Sequence, residues 1–321
     1  MQIAAIASYN KERGYIMPIT GYTTFEGREF SLSNINKILW PRDQYTKGDL
    51  IRYYAEIGPY IMKHLKDRPL VFTRYPNGIE GNFFYQKNAP HYMPEWINTF
   101  TWTNKDHSET RFVLADETAT LVWLANQACI EIHPWLSRKD TPHNPDFIVF
   151  DLDPSPESTF EQVKKIAMVI REMMEQFKLR TYVKTSGASG LHIYLPIINK
   201  YSYEEVRRFG QSIAELVCKL LPEIATIERA VGARENKIYV DYLQNVLGQT
   251  ICAPYSVRPH DGAPVSTPVR WEELGDISPK DFTIKNVTSR LNSIGDLFSP
   301  TITNPQDITR AMDHLGIIQF N

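Results

Sequence analysis

Apolar and polar positions recur along this chain with two periods, one helical and one extended. Apolar residues repeat at helical spacing over 50–61, 160–177 and 206–220, so each segment is predicted to form an amphipathic helix. A shorter helix is predicted over 116–127. Each amphipathic segment follows a hydroxyl residue that has an acidic residue three positions later, the pattern of a capping box. The capping residues are Thr46, Ser158 and Ser202.

Short apolar runs bounded by turn residues predict the strands. Between residues 143 and 260 the order is strand, helix, hairpin, helix, strand, which favours an α+β layer fold over a repeating β-α-β unit. Residues 83–85 are expected to be extended, whereas residues 88–110 show no period and are expected to form a long loop. The predicted strands are 68–74, 147–153, 180–185, 191–197 and 237–243.

The composition is that of an ordinary soluble globular protein, with 42% hydrophobic and 22% charged residues. The net charge is only −2, so no global field draws the protein onto nucleic acid. Residues 28–87 nonetheless carry ten Lys or Arg against six Asp or Glu, which indicates a local anion-binding face. Three widely separated cysteines indicate buried thiols in a reducing compartment. With no apolar run of membrane-spanning length and no signal region, a cytoplasmic location is expected.

Two aspartates, Asp151 and Asp153, end the apolar run 147–153. In a strand, the side-chain period of two places both carboxylates on one face. Two unit charges about 4 Å apart repel by about 4 kcal/mol at an effective dielectric constant of 20, so a divalent cation is the natural partner. A third acid, Asp241, ends the run 237–241, and three strand-borne carboxylates suit a two-metal site for phosphoryl or nucleotidyl transfer. The plainer interpretation is that the pair caps the turn before the next helix.

A glycine-containing turn follows the strand 180–185. Glycines at 187 and 190 let the backbone approach a phosphate and turn its amides toward it. His192 lies just beyond, on the face opposite its apolar neighbours. Farther on, Arg258 has the geometry to clamp a phosphate with two hydrogen bonds. Taken separately, these are equally the features of an ordinary glycine hairpin and a surface arginine.

The motifs FDLDP, TSGASGLHIYLP, IYVDYLQN and GQTICAPYSVR, in this order, resemble the polymerase domain of bacterial ATP-dependent DNA ligase D. That domain belongs to the archaeo-eukaryotic primase superfamily. The resemblance covers roughly residues 30–300 and implies a primase-like core, an RRM-like sheet flanked by helices, beside an N-terminal α/β lobe. It also implies the domain limits: an N-terminal extension at 1–27, a domain at 28–300 and a C-terminal helical tail at 301–321. Within that domain, the N-terminal lobe covers about 28–140 and the catalytic core about 141–260.

The resemblance implies a role for each matching residue. Asp151, Asp153 and Asp241 would bind two Mg²⁺ or Mn²⁺ ions. The incoming nucleoside triphosphate would be held by Ser186, His192, Arg258, His133, Arg74 and Gln244. Phe83 and Phe84 would stack on bases, and Arg234 would lie in a loop near the catalytic site and contact DNA. Asn34, Lys37 and Lys47 would form a pocket for a recessed 5′-phosphate. One departure is Ser189, which stands where the family often has a lysine near the triphosphate, so one positive contact is lost.

The resemblance also implies the function. The protein is expected to be a template-directed nucleotidyltransferase that fills gaps and extends 3′ ends during non-homologous end joining, with low fidelity and a preference for ribonucleotides. Its partners would be DNA ends bearing a 5′-phosphate, a Ku-like end binder and a separate DNA ligase, in the nucleoid-associated cytoplasm. Two alternatives stay open: a non-catalytic module that bridges DNA ends, and a phosphatase of the haloacid dehalogenase type. The phosphatase also uses Asp-x-Asp after a strand, but it would leave His192 and Arg258 without a role.

Overall fold

The N-terminal lobe is a small mixed structure built around one long helix. The computed structural model of the protein describes residues 21–317, so predictions for residues 1–20 and 318–321 lie outside the described residues. The elements of the lobe are β1 (Gly21–Phe25), β2 (Arg28–Leu32), β3 (Ile38–Trp40), β4 (Tyr45–Thr46), α1 (Lys47–Leu65), β5 (Leu70–Arg74), β6 (Phe84–Gln86), β7 (Thr99–Thr103), β8 (Glu109–Val113), α2 (Thr118–Asn126) and β9 (Cys129–Pro134).

Helix α1 begins where the sequence predicts. The Thr46 side chain accepts a hydrogen bond from the Asp49 amide, and the Asp49 carboxylate accepts one from the Thr46 amide, so the capping box is confirmed. The apolar stripe of α1 is buried against α2 and the lobe's sheet. Its tyrosines also connect the two lobes: the Tyr53 hydroxyl donates to the Tyr255 carbonyl at 2.8 Å, and the Tyr54 hydroxyl accepts a hydrogen bond from the Val257 amide at 3.2 Å.

The catalytic core is an antiparallel sheet covered by two helices on one face. Its elements are β10 (Phe147–Asp153), α3 (Phe160–Gln176), β11 (Tyr182–Thr185), β12 (Leu191–Pro196), α4 (Tyr203–Leu220), β13 (Ala225–Thr226), β14 (Ile238–Asp241) and β15 (Pro268–Val269). Within the described residues the strand order is β13-β14-β10-β12-β11-β15, and only the β13–β14 pair is parallel. The predicted strand, helix, hairpin, helix, strand order is confirmed, and so is the α+β class.

The two faces of β10 serve different purposes. Ile148, Phe150 and Leu152 are fully buried in the main core, and α3 and α4 pack against this strand. On the opposite face, Phe147 and Val149 belong to a separate apolar cluster. The aspartates that end the strand share this second face. The alternation therefore places the acids away from the helices and toward the N-terminal lobe.

Three sequence predictions need correction or refinement. Helix α3 is capped by Thr159 with Gln162, one residue after the predicted Ser158. The long loop expected over 88–110 is wrong, because β7 and the start of β8 form a hairpin there. Residues 21–25, assigned to the extension, pair with β2.

The C-terminal region contains short helices, α5 (Val287–Ile294), α6 (Pro300–Thr303) and α7 (Thr309–His314). Asp296, between α5 and α6, accepts a hydrogen bond of 2.6 Å from the Tyr255 hydroxyl and lies 2.9 Å from Nε2 of His64 on α1. These contacts fasten the region to both lobes. In the part of the chain that the structure describes, no helix is long and apolar enough to cross a membrane.

Candidate active site

The three predicted acids lie side by side because of the sheet register. Asp151 pairs across the sheet with Asp241 on β14 and, on its other side, with His192 on β12. Asp153 pairs with Tyr239, two positions along the same strand. We refer to Asp151, Asp153 and Asp241 as the acidic row. Antiparallel pairing of adjacent strands, and not closeness in sequence, brings Asp241 to the other two acids.

The acidic row concentrates negative charge. Desolvation and the neighbouring charges of Asp241 and Asp153 together raise the pKa of Asp151 to about 7, against the opposing effect of Lys184 and Arg258. Desolvation also raises the pKa of Asp241. The sheet thus holds carboxylates in surroundings that disfavour their charged form, and a cation placed among them would relieve this cost.

Each of the other two acids already has partners. Asp241 accepts hydrogen bonds from the Leu243 amide at 2.8 Å and from the Gln244 side chain at 3.0 Å. Asp153 forms an ion pair of 2.8 Å with Arg234, whose side chain is 8% exposed. Arg234 also lies over the ring of Tyr239 at 4.4 Å. The arginine therefore neutralises the outer end of the acidic row.

The donor set of the acidic row suits a hard divalent cation, since Mg²⁺ and Mn²⁺ prefer carboxylate oxygens. In the geometry of residues 21–317, no three His, Cys, Asp or Glu side chains converge closely enough to hold a metal ion. Asp151 and Asp241 are partners across the sheet, whereas Asp153 is paired with Arg234.

A cavity of about 420 Å³ lies beside the acidic row. Its walls are formed by Asp151 and Asp153, by the turn between β11 and β12, and by a segment after residue 247. Residues predicted for nucleotide binding that line it are Ser186, His192, Arg258, His133 and Gln244. The structure thus brings five of the six predicted nucleotide-binding residues together with Asp151 and Asp153.

The turn between β11 and β12, residues 186–190, requires glycine at two positions. Gly187 has a φ of +73°, and a Cβ there would come within 2.8 Å of the Arg258 side chain. A Cβ on Gly190 would overlap the carbonyl oxygen of Leu152 on β10. The Ser186 hydroxyl oxygen accepts hydrogen bonds from the amides of Ala188 and Gly190 at 3.1 and 3.0 Å. This serine therefore shapes the turn that lies against the acidic row.

Arg258 is positioned by a carboxylate of the N-terminal lobe. Its Nε lies 2.8 Å from Oε1 of Glu131 on β9, and its Nη1 donates to the Ser186 carbonyl at 3.0 Å. Nε2 of His133, two residues along the same strand, lies 3.8 Å from Glu131 Oε2. Although desolvation acts to raise it, the pKa of Glu131 is about 2, because His133 and Arg258 face the carboxylate. Glu131 is therefore a fixed anion that orients two cavity residues.

The remaining predicted nucleotide or base contacts lie outside the cavity. Arg74 donates to the Gln127 carbonyl at 2.9 Å and to the Tyr92 hydroxyl at 2.7 Å, and its guanidinium covers the ring of Phe84. Phe83 stacks on Tyr75 with ring centroids 5.2 Å apart. Phe83 and Phe84 are 53% and 44% exposed, so part of each ring is still accessible to a stacking partner.

The predicted 5′-phosphate residues form a second group, on the N-terminal lobe. Asn34 and Lys37 are exposed, and Lys37 donates to the Asn77 side chain at 3.2 Å. Lys47 is only 5% exposed and donates to the Asn126 carbonyl at 2.9 Å. Desolvation and, to a smaller extent, the neighbouring charges of Lys37 and Arg74 lower the pKa of Lys47 to about 8. We call Asn34, Lys37, Lys47 and Arg74 the cationic cluster. Arg74 was predicted to bind the nucleotide, but it lies in this cluster and does not line the cavity.

Sequence reasoning missed several residues of the cavity. Tyr85 lines it and is 64% exposed, although the prediction named the two preceding aromatic residues. Lys87 also lines the cavity and adds a positive charge at its rim. Glu131 could have been found, because strand alternation places it on the same face as His133. Tyr85 on β6 and Lys87, one residue beyond the end of β6, carry the same alternating signal.

Carboxylates on adjacent antiparallel strands, a glycine turn and an anchored arginine around one cavity define a nucleotidyltransferase of the primase-polymerase class. A comparison with protein families identifies the family within this class. The chain belongs to the family described as LigD, primase-polymerase domain, which it matches over residues 46–298. The expected resemblance and the primase-like fold are both confirmed, and the phosphatase alternative loses its support.

Individual relatives agree with this assignment. The chain is 34% identical over 282 residues to the bifunctional non-homologous end joining protein LigD of Bacillus subtilis, covering 87% of this chain and 45% of the relative. It is 32% identical to the multifunctional non-homologous end joining protein LigD of Mycolicibacterium smegmatis, covering 84% and 35%. The polymerase domain of Mycobacterium tuberculosis ligase D in complex with DNA superposes with a TM-score of 0.80 at 27% identity, covering 86% of this chain and 99% of that chain. The chain thus spans less than half the length of the two full relatives.

Proposed function

We propose that this protein is a template-directed polymerase that extends 3′ ends and fills gaps at DNA breaks during non-homologous end joining. The observation that carries the proposal is the cavity between the lobes. Carboxylates of the acidic row lie on one wall, and Arg258, His192 and the glycine turn lie on another. A nucleoside triphosphate has the matching asymmetry, with a reacting α-phosphate that needs cations and terminal phosphates that need hydrogen-bond donors.

Each wall of the cavity has its own part in the reaction. Asp151, Asp153 and Asp241 would hold two Mg²⁺ or Mn²⁺ ions, which supply charge neutralisation for the attacking 3′-hydroxyl and the α-phosphate. Arg258, fixed by Glu131, donates to terminal phosphate oxygens. Arg234 keeps Asp153 neutralised until the acid is needed.

The sugar end of the nucleotide would face His133 and Tyr85. The two rings lie edge to face with centroids 6.5 Å apart, and both line the cavity. His133 Nε2 is buried and has no hydrogen-bond partner among the described residues. A ribose 2′-hydroxyl is a partner of the right chemistry for this nitrogen. We therefore propose a preference for ribonucleotides.

Primer extension on a gapped duplex tests the proposal. Asp151→Asn and Asp241→Asn keep the side-chain volume and remove the charge, and each is expected to reduce extension by at least about 10³-fold, since metal-held charge stabilises the transition state by several kcal/mol. Glu172→Gln, which neutralises an exposed acid on α3, is the matched control and should extend like the natural protein. Extension that survives both aspartate changes would rule out the mechanism.

A second candidate function, end bridging, is favoured by the cationic cluster. Lys37 and Lys47 lie on the lobe away from the acids, so a recessed 5′-phosphate could be held without catalysis. The Asp151→Asn protein separates the two functions. If it binds 5′-phosphorylated ends as the natural protein does but cannot extend, both functions coexist in one chain. The Ku-like end binder and the separate ligase remain proposed partners, to be sought by co-purification on broken DNA.

A further inference from the structure

Lys184, on β11, is a buried cation that the proposed chemistry does not use. Its side chain is completely buried, and it does not line the cavity. Within residues 21–317 no carboxylate oxygen lies within ion-pair distance of its Nζ. Its contacts are Nδ1 of His192 at 2.7 Å, Oγ of Ser266 at 2.5 Å and the ring face of Tyr194 at 5.8 Å. A lysine buried at such cost calls for a role beyond packing.

The hydrogen bonds around Lys184 have a defined direction. The Ser266 hydroxyl donates to the Thr185 carbonyl at 2.8 Å, so its oxygen must accept the bond from Lys184. A lysine ammonium has donors only, so Nδ1 of His192 is an acceptor as well. An imidazole that accepts at Nδ1 and is neutral carries its proton on Nε2.

We propose that Lys184 is a positioning residue that holds His192 in the neutral Nε2–H tautomer. Nε2 lies on the cavity side of the ring, 3.4 Å from Asp151 Oδ1. The ring therefore presents one fixed N–H donor to an anion in the cavity. Identifying that anion as a phosphate of the incoming nucleotide rests on the proposed function, whereas the tautomer rests on the geometry alone.

Lys184 can donate both hydrogen bonds whether or not its amine is charged. Desolvation lowers the pKa of Lys184 to about 7. A neutral amine still carries two hydrogens, which suffice for Ser266 and His192. The cross-strand pairing of residues 184 and 192 fixes the distance between the two side chains. The β11–β12 hairpin thus fixes the direction in which Nε2–H of His192 points.

The first test is spectroscopic and needs no substrate. In protein with ¹⁵N-labelled histidine, long-range ¹H–¹⁵N spectra distinguish the two tautomers, and comparison with His192→Ala assigns the ring among the eight histidines. The natural protein should show His192 protonated at Nε2. Lys184→Met keeps the length of the side chain without its donor and should give a mixture of tautomers. A proton on Nδ1 in the natural protein would overturn the proposal.

The second test measures nucleotide use. Lys184→Met should raise KM for the nucleotide roughly tenfold, the loss of about one good hydrogen bond, while kcat changes less. Lys184→Gln retains an N–H donor and should restore part of the affinity. In a His192→Ala background, Lys184→Met should have no further effect, because the lysine acts through the ring. Lys165→Met, an exposed lysine on α3, is the matched control.

The outcomes separate this inference from the proposed function. An unchanged KM in Lys184→Met, or effects of Lys184→Met and His192→Ala that simply add, would contradict the positioning role. If the natural protein extends no primer, the proposed function fails and the spectroscopic result alone decides the tautomer. Thermal unfolding of each variant shows whether it is folded. Should Lys184→Met not fold, Lys184→Gln and the spectrum of the natural protein still decide.

Discussion

Glu131 is the residue on which the cationic side of the cavity depends. It is 5% exposed, and both Arg258 and His133 face its carboxylate. A buried arginine that loses its anion keeps its charge but no longer has a fixed direction. The position of Arg258 at the glycine turn therefore depends on a residue of the other lobe.

Glu131→Gln is expected to weaken nucleotide binding. The amide keeps the volume of the carboxylate but removes the ion pair, so KM for the nucleotide should rise roughly tenfold, while kcat at saturation changes less. Steady-state extension assays measure both constants, with Glu172→Gln as the matched loss of an exposed carboxylate. An unchanged KM would show that Arg258 needs no anchor.

At this scale the sequence predicted residues whose partners are nearby or whose motif is distinctive. Asp151, Asp153, Ser186 and His192 were named correctly as neighbours, because strand alternation and one hairpin bring them together. The ion pair of Asp153 with Arg234 joins residues 81 positions apart, and no local pattern reports it. The position of Arg74 outside the cavity, near Lys47, was unpredictable for the same reason.

The glycine turn of residues 186–190 connects the packing of the strands with the shape of the site. It closes the β11–β12 hairpin and also passes against the end of β10, where the acids lie. The close approach of Gly190 to the Leu152 carbonyl leaves no room for any side chain. The shape of the cavity wall at Gly190 is therefore set by contact between the backbone of the turn and the backbone of β10.

Gly190→Ala is predicted to damage both stability and nucleotide binding. The added methyl group overlaps the backbone of β10, and overpacking of this kind costs about 1–3 kcal/mol. Gly275→Ala is the matched control, because a Cβ there meets no atom within 4 Å. Urea unfolding should show a lower midpoint for Gly190→Ala only. Equal midpoints for the two variants would contradict the close approach.

Elements with strong local signals were predicted well. Helices α1 and α4 begin at the predicted capping boxes, because side chains three residues apart satisfy the first amides. The β7–β8 hairpin was missed although Phe100 and Trp102 alternate with threonines in TFTWT, because ETRFV shows no such alternation and most residues of both strands are exposed or half-buried. Such strands are stabilised by pairing across the hairpin.

The molecule as a whole carries two regions of concentrated positive charge despite a net charge of −2. One is the cavity between the lobes, and the other is the cationic cluster on the N-terminal lobe. The local concentrations of positive charge, which the whole-chain value conceals, support the proposal that the protein contacts DNA at defined phosphates and has little non-specific affinity. Under this proposal, a single 5′-phosphate would make a large contribution to binding.

The buried position of Lys47 gives this contribution a pH dependence. Its pKa of about 8 lies below the ordinary value of 10.5, so the charged form is present below pH 8 and is lost as the pH rises through that value. A bound phosphate stabilises the ammonium and moves the midpoint upward. The affinity gained from a 5′-phosphate should therefore be constant near pH 7 and fall by roughly tenfold toward pH 10.

Fluorescence anisotropy with two gapped duplexes, identical except for the 5′-phosphate, measures this difference across the pH range. The affinity for the unphosphorylated duplex changes with every titration that does not involve the 5′-phosphate. The ratio of the two affinities therefore isolates the effect of the phosphate contact. In Lys47→Met the ratio should be smaller and should vary less with pH above 7, because the charge of Arg74 does not titrate in this range. A ratio that is large in Lys47→Met, or that does not fall in the natural protein, would place the 5′-phosphate away from the cationic cluster. Binding would then depend on the cavity alone, and the two regions could not act on one DNA end together.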